Sequence, residues 1–201
     1  MTVYCYDTEF IDDGQTIELI SIGIVADDGR EYYAVNSDMP MDRVKSPQCE
    51  WLIRNVLPPL PIVHRNILDG YIARSQNLYP KPSINLVDLD RSSTLVKPKW
   101  CIANEVREFL CADGEDIELW AHYAAYDHVA LAQLWGPMIN LPDGIPMWTH
   151  DLMQLLEQLN GFVVPEQVGD EHHALADARW THQVYQAARS HMLGEPTEVP
   201  F

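Results

Sequence analysis

Residues 3–35 read VYCYDTEFIDDGQTIELISIGIVADDGREYYAV, and this stretch decides the fold. Val3 to Asp7, Ile17 to Val25 and Glu31 to Val35 are runs of β-branched and aromatic residues. Asp13-Gly14 separates the first two runs and Asp28-Gly29 the last two, the dipeptides that favour tight hairpin turns. Three consecutive antiparallel strands are expected. Beyond them Trp51 to Leu57 reads as a helix stopped by Pro58-Pro59, and residues 60–99 carry Pro61, Pro80, Pro82 and Pro98 with little periodicity. That stretch is expected to be an excursion from the core, with a short helix near Ile67 to Asn77. Regular structure resumes with a helix over Cys101–Cys111, a strand over Ile117–Ala121, and helices near Tyr126–Trp135 and Thr149–Leu159. A long helix over Ala174–Met192 follows, with Leu175, Ala178, Tyr185, Ala188 and Met192 on its buried face. Hairpin strands followed by alternating helices and strands predict an α/β fold, a mixed central sheet flanked by helices, in one domain spanning residues 1–193. Residues 194–201, with two prolines, are expected to be a disordered tail.

Composition narrows the function classes. With 201 residues, 47% apolar and 21% charged, the chain has enough material for one sizeable core and is not a disordered composition. Thirty acids against thirteen bases leave a net charge of −17, which argues against tight, non-specific binding to duplex DNA. The average conceals a window from Arg43 to Arg107 that holds ten bases and five acids. Arg54, Arg65, Arg74, Arg91, Lys97 and Lys99 are its candidates for a nucleic-acid track, against the plainer reading of a solvated surface. Met1-Thr2-Val3-Tyr4 has neither the basic segment nor the apolar run of a signal peptide, and no apolar run approaches a membrane span. Four scattered cysteines form no C-x-x-C pair, so a reduced, cytoplasmic protein is expected.

Three short motifs carry chemistry. Asp7 and Glu9 are two apart on an extended segment, so both carboxylates face the same side. Like charges held together are unfavourable unless a cation neutralises them or one takes a proton, and alone the pair could equally be an acidic surface turn. Asp127 shares a helix face with Leu131 and Leu134 and so points inward, either to a partner or as a helix cap. In Glu171-His172-His173-Ala174-Leu175-Ala176-Asp177, five helical positions span about 140° of rotation, so His172 and Asp177 converge only if His172 precedes the helix. Four carboxylates and a histidine, with no competing Cys/His quartet, G-x-S-x-G turn or P-loop, suit Mg²⁺ or Mn²⁺ and metal-assisted phosphodiester cleavage.

The order D-x-E, Y-D, H-x-x-x-x-D resembles that of the DEDDh 3′→5′ exonucleases, which have a ribonuclease H-like fold. Asp7 and Glu9 match the first motif. His122-Tyr123-Ala124-Ala125-Tyr126-Asp127 matches the second, with Tyr123 where many members carry Asn, and His172 with Asp177 matches the third. Thr16 to Gly23, Ala125 to Leu131 and Gln133 to Met138 are further similar to the actinobacterial ribonuclease AS group, dimeric exoribonucleases preferring polyadenylate.

That resemblance implies two divalent ions per site, with Asp7 bridging them, Glu9 and Asp177 completing one and Asp127 holding the other. It implies His172 as the base that deprotonates the attacking water, a single-stranded RNA 3′ end as substrate, adenylate-rich by analogy, and a homodimer. Phe10, Ile11 and His122 are candidate substrate contacts. Glu18 could accept a bond from an adenine amino group or be a plain strand carboxylate. Trp120, Trp135, Trp148 and Trp180 read as core, and His128 and His173 as bystanders. Asp151 reads as a support for the site or a helix cap. A DNA exonuclease of the same superfamily and a non-catalytic nucleotide-binding module remain the alternatives.

Overall fold

The computed structural model describes residues 1–74, 83–169 and 171–194. The end of the helix expected near Ile67 to Asn77 and, apart from Gly194, the tail expected over 194–201 lie outside these. The chain opens with β1 (Thr2–Asp12), β2 (Ile17–Ala26) and β3 (Glu31–Asn36), the three antiparallel strands expected from their composition. The lobe that follows contains α1 (Met41–Val44), α2 (Glu50–Asn55), β4 (Ile62–Val63), α3 (Arg65–Ile72) and β5 (Asp88–Leu89), where β4 and β5 form a small second sheet. The excursion then returns to the main sheet, because β6 (Val96–Lys97) pairs in parallel with β3. After it come α4 (Lys99–Leu110), β7 (Ile117–Ala121), α5 (Ala125–Ala132), β8 (His150–Asp151), α6 (Leu152–Leu156) and α7 (Ala174–Leu193). The six-stranded order is β6-β3-β2-β1-β7-β8, with β7 and β8 parallel to β1 and to each other respectively.

Two expectations change here. The segment expected as one helix over Thr149–Leu159 starts as the edge strand β8 and becomes helical only at Leu152, where Asp151 caps α6 by accepting from the Met153 amide at 2.9 Å. A two-residue parallel strand is too short to impose a period on the sequence. Met192, assigned to the buried face of α7, is 61% exposed, while Ala174, Thr181 and Val184 join Ala178, Tyr185 and Ala188 inside.

Alternation along β1 sorts the layers. Tyr4 and Tyr6 face one side and pack with Ile102 and Val106 of α4 and Ala130 and Leu131 of α5. Val3 and Cys5 face the other and join Leu152 of α6 with Val184 and Tyr185 of α7. Farther along this second face Ile11, with Ile20 and Val35, packs into the lobe against Ile53, Leu57 and Leu68. Between α7 and the lobe, Asp7 and Glu9 are left facing a gap. β7 pairs with β1 only as far as Cys5, so the acidic part of β1 overhangs its neighbour. The crevice at the carboxyl ends of β1 and β7 is where such sheets place ligands.

No described helix is long and apolar enough to cross a membrane. The four cysteines are free.

Candidate active site

Gly23 sets the distance between the acidic pair and the last helix. It lies directly across from Asp7 in the β1–β2 register. A Cβ there would overlap the backbone of Ala174 and Leu175, so the first turn of α7 rests on bare β2 backbone. This contact brings the segment around His172 and Asp177 to the face that carries Asp7 and Glu9. His172 precedes the helix, as the rotation argument requires, and takes a left-handed φ of 64°. Its backbone amide donates to Asp177 Oδ2 at 3.0 Å. One ligand atom each from Glu9, His172 and Asp177 lie within 4.8 Å of one another.

Asp127 arrives from the opposite layer. It occupies the first turn of α5 and is 5% exposed. Rather than capping its own helix, it accepts from the Thr8 amide at 2.8 Å and the Thr8 hydroxyl at 2.6 Å. Thr8 separates Asp7 from Glu9, so this pair of bonds ties the third acid to the first two. All four carboxylates and His172 line one cleft of about 410 Å³.

The electrostatics of the cleft are those of crowded anions. Burial, and then the charges of Asp127, Glu9 and Asp177, push the Asp7 carboxyl well above the ordinary carboxylate range. Glu9 is pushed up to about 8 by burial and by Asp177 and Asp127. Asp127 rises to about 6 through burial, opposed by its bonds from Thr8. Burial raises Asp177 also, against the bonds it accepts from Gln167 and the His172 amide. Neither Asp7 nor Glu9 has a hydrogen-bond donor among the described residues, and no Lys or Arg lines the cleft. Hard divalent cations, which take oxygen ligands, fit this donor set, and they would replace the protons that otherwise hold the carboxylates together.

The remaining sequence candidates divide. Phe10 lines the cleft and stacks on Tyr126, ring centroids 6.0 Å apart and planes within 15°. His122 lines it too, edge-on to Trp180 at 5.0 Å, with burial lowering its basicity. Ile11 does not reach the cleft. Successive strand residues face opposite sides, so Ile11 follows Asp7 and Glu9 to their face but farther on, and is 1% exposed in the lobe core. Glu18 does not line it either, and pairs with Arg43 at 2.9 Å.

The basic residues of the 43–107 window are largely engaged within the fold. Arg54 binds Glu50 at 2.7 Å and the carbonyls of Ile72 and Arg74. Arg65 donates to the carbonyls of Pro58 and Leu60, and Lys97 pairs with Glu105 at 2.6 Å. Arg91 reaches the Ser37 carbonyl at 3.3 Å, while the Lys99 backbone amide is held by Asp38. Arg74 is exposed. A second cleft, beside the first and sharing Glu171 and His172 with it, is lined by Arg54 and by no other Arg or Lys among the described residues.

Other residues gain or lose roles. Trp180 forms a wall of the cleft with its indole N–H on the Pro165 carbonyl at 2.9 Å, and Trp148 is 60% exposed rather than core. His173 caps α7, accepting from the Ala176 amide at 3.3 Å. Asp151 both caps α6 and accepts from the Ala124 amide at 3.2 Å, which fixes the turn leading into α5. Gln167, on Asp177, and Trp51, against His172, were not singled out from the sequence. Both come from irregular or very short elements, where no period marks an inward position.

Comparison with known proteins agrees with this geometry. The family described as the 3′-5′ exoribonuclease Rv2179c-like domain matches residues 87–189. The proteins named 3′-5′ exoribonuclease Rv2179c and 3′-5′ exoribonuclease MT2234.1, from two strains of Mycobacterium tuberculosis, are each 44% identical over 177 residues, 88% of this chain and 86% of theirs. Among solved structures, S. pombe Pop2p in its Mg²⁺- and Mn²⁺-bound form superposes with a TM-score of 0.53 at 14% identity, over 94% of this chain and 82% of that one. This likeness shows a shared ribonuclease H-like fold. By identity and coverage together, the chain belongs to the Rv2179c-like 3′-5′ exoribonuclease family.

Proposed function

We propose that this chain degrades single-stranded RNA from its 3′ end to nucleoside 5′-monophosphates, with two divalent ions, Mg²⁺ or Mn²⁺, and with His172 as general base. Adenylate-rich RNA is the preferred substrate in this reading, and the enzyme is a cytoplasmic homodimer whose catalytic domain spans residues 1–193, the 60–99 stretch included. One observation carries it. Asp7, Glu9, Asp127 and Asp177 converge with His172 on a single cleft, and the carboxyls there are raised by burial and mutual repulsion with no Lys or Arg among the described lining residues.

The four carboxylates, Asp7, Glu9, Asp127 and Asp177, would hold the two ions. When bound, such ions polarise a phosphodiester and stabilise the leaving 3′ oxygen. Asp127 is preorganised for this role by its two bonds from Thr8, and Asp177 by its bonds from Gln167 and the His172 amide. His172 would accept the proton of the attacking water as general base. Phe10, backed by Tyr126, offers the terminal base an aromatic face, and base stacking accepts single strands without sequence readout. His122 contacts the nucleotide from the opposite wall.

Labelled oligo(A), oligo(U) and oligo(dA), each with Mg²⁺ or Mn²⁺ and with EDTA, test the reading. Stepwise shortening of oligo(A) from its 3′ end, faster than oligo(U), is expected in either metal and in neither chelated control. Equal cleavage of oligo(dA) would make it a DNA exonuclease. Binding without cleavage in any arm would make it a nucleotide-binding module.

A further inference from the structure

Trp51 belongs to none of the acidic motifs, yet it lines the cleft. It is the second residue of α2 and 54% exposed, so it is not part of the lobe core. Its ring lies against the imidazole of His172, centroids 4.7 Å apart and planes at 72°, an edge-to-face contact. His172 needs such a contact. Its backbone is anchored through the amide bond to Asp177, but no hydrogen bond among the described residues engages its ring. Catalytic imidazoles are ordinarily oriented by a hydrogen bond at the second ring nitrogen, and among the described residues the His172 ring has the edge-to-face contact with Trp51 instead.

The helix that presents Trp51 is fixed. Glu50 accepts from Arg54 and from the Tyr71 hydroxyl, and Arg54 continues to the Ile72 and Arg74 carbonyls, which ties α2 to α3. Ile53 is 1% exposed in the lobe core. Among the described residues of the lobe, Trp51 is the one that lines the acidic cleft, and the helix that carries it is tied down.

We propose that Trp51 is a positioning residue, whose indole orients the His172 imidazole over the acidic cluster, and that the lobe at residues 39–89 acts on the reaction through it. This rests on His172 being the base.

The test uses the full chain with Trp51→Ala, Trp51→Phe and His172→Ala, first checked for folding by circular dichroism and unfolding midpoint. Trp51→Leu replaces the alanine variant if that one does not fold. Trp51→Ala is expected to lower kcat on oligo(A) by about 10²-fold, the scale of a misplaced catalytic group, while KM stays within about twofold. Trp51→Phe, which keeps an aromatic edge or face, should recover most of the rate. Without metal or RNA, the ring-proton resonances of His172, assigned by their loss in His172→Ala, should move when the indole ring current is removed. An unchanged kcat with a raised KM would overturn the proposal and make Trp51 an RNA contact. Unmoved His172 resonances would overturn the contact itself. A His172→Ala variant with wild-type rate would instead remove the base assignment, and that outcome is read without any Trp51 variant.

Discussion

The sheet-and-helix body and the lobe face each other across one cleft and use charge in opposite ways. The body packs Asp7, Glu9, Asp127 and Asp177 together with no Lys or Arg among the described residues of the cleft, so these charges raise one another's proton affinity. The lobe places cations on groups that lack hydrogen: Arg54 on two carbonyls and Glu50, Arg65 on two carbonyls, Lys45 on the carbonyls of Asn85 and Val87. In the cleft, charge is a liability to the fold that a cation would relieve. In the lobe, charge closes loops. The basic window read from the sequence as a track for RNA is thus mainly internal carpentry.

The largest effect that could break this contrast lies at Asp7. Asp7→Asn should lower metal-dependent RNA cleavage about a thousandfold or more, the loss of several kcal/mol of transition-state stabilisation. The same change should raise the unfolding midpoint in EDTA at pH 8, because it removes a charge the metal-free fold carries poorly. Wild-type protein should show the matching pH dependence. Glu9 titrates at about 8 in the fold against 4.5 for a free side chain, so the native state holds the extra proton. Stability in EDTA therefore falls as pH rises from about 5 to about 8, and Mg²⁺ or Mn²⁺ should restore more of it at pH 8 than at pH 5. Thermal unfolding at both pH values, with and without metal, measures this. A metal-free stability that rises over that interval contradicts the crowding argument.

Next in size is Gly23→Ala. The added Cβ meets the backbone of Ala174 and Leu175, which cannot move aside as a flexible side chain could. Overpacking of this kind costs about 3 kcal/mol, and relief requires α7 to lift from β2. Denaturant unfolding should show the loss, and metal affinity should fall with it because His172 and Asp177 ride on that turn. In the lobe, Arg54→Ala breaks three bonds of a side chain that is 14% exposed, and should cost about 1–3 kcal/mol. The salt dependence of RNA binding should stay as in wild type. A flattened salt slope in that variant would return Arg54 to the RNA backbone.

How much of this was legible in sequence follows from the same contrast. The body's strands carry β-branched runs and Asp-Gly turns, and alternation alone predicts Asp7 and Glu9 on one face. The rotation between His172 and Asp177 predicts a histidine outside the helix, and φ of 64° shows how it gets there. Alternation alone does not choose between Phe10 and Ile11, since Asp7, Glu9 and Phe10 all line the cleft, and it is packing into the lobe core that removes Ile11. The lobe is harder to read, since its two-residue strands and four- to eight-residue helices are too short for a period. Its contribution to the cleft, Trp51, is placed by tertiary bonds from Glu50 and Arg54 that no local pattern announces. Gln167 is hidden for the same reason, lying in an irregular stretch before α7.

The smallest effect concerns backbone rather than charge. Tyr123 has a φ of 56° and is 62% exposed, so a bulky residue holds a left-handed conformation that Asn tolerates better. Tyr123→Asn should stabilise the protein by about 0.5–1 kcal/mol in denaturant unfolding, since few buried contacts are lost. His172 occupies the same region of backbone space, but its side chain is the proposed base, so His172→Asn should give a comparable gain in stability and lose the rate. The two substitutions together separate strain that accompanies the cleft from strain that the reaction uses. If Tyr123→Asn instead destabilises, the Tyr123 ring against His122, centroids 4.4 Å apart, contributes more to the body than the strained backbone costs it.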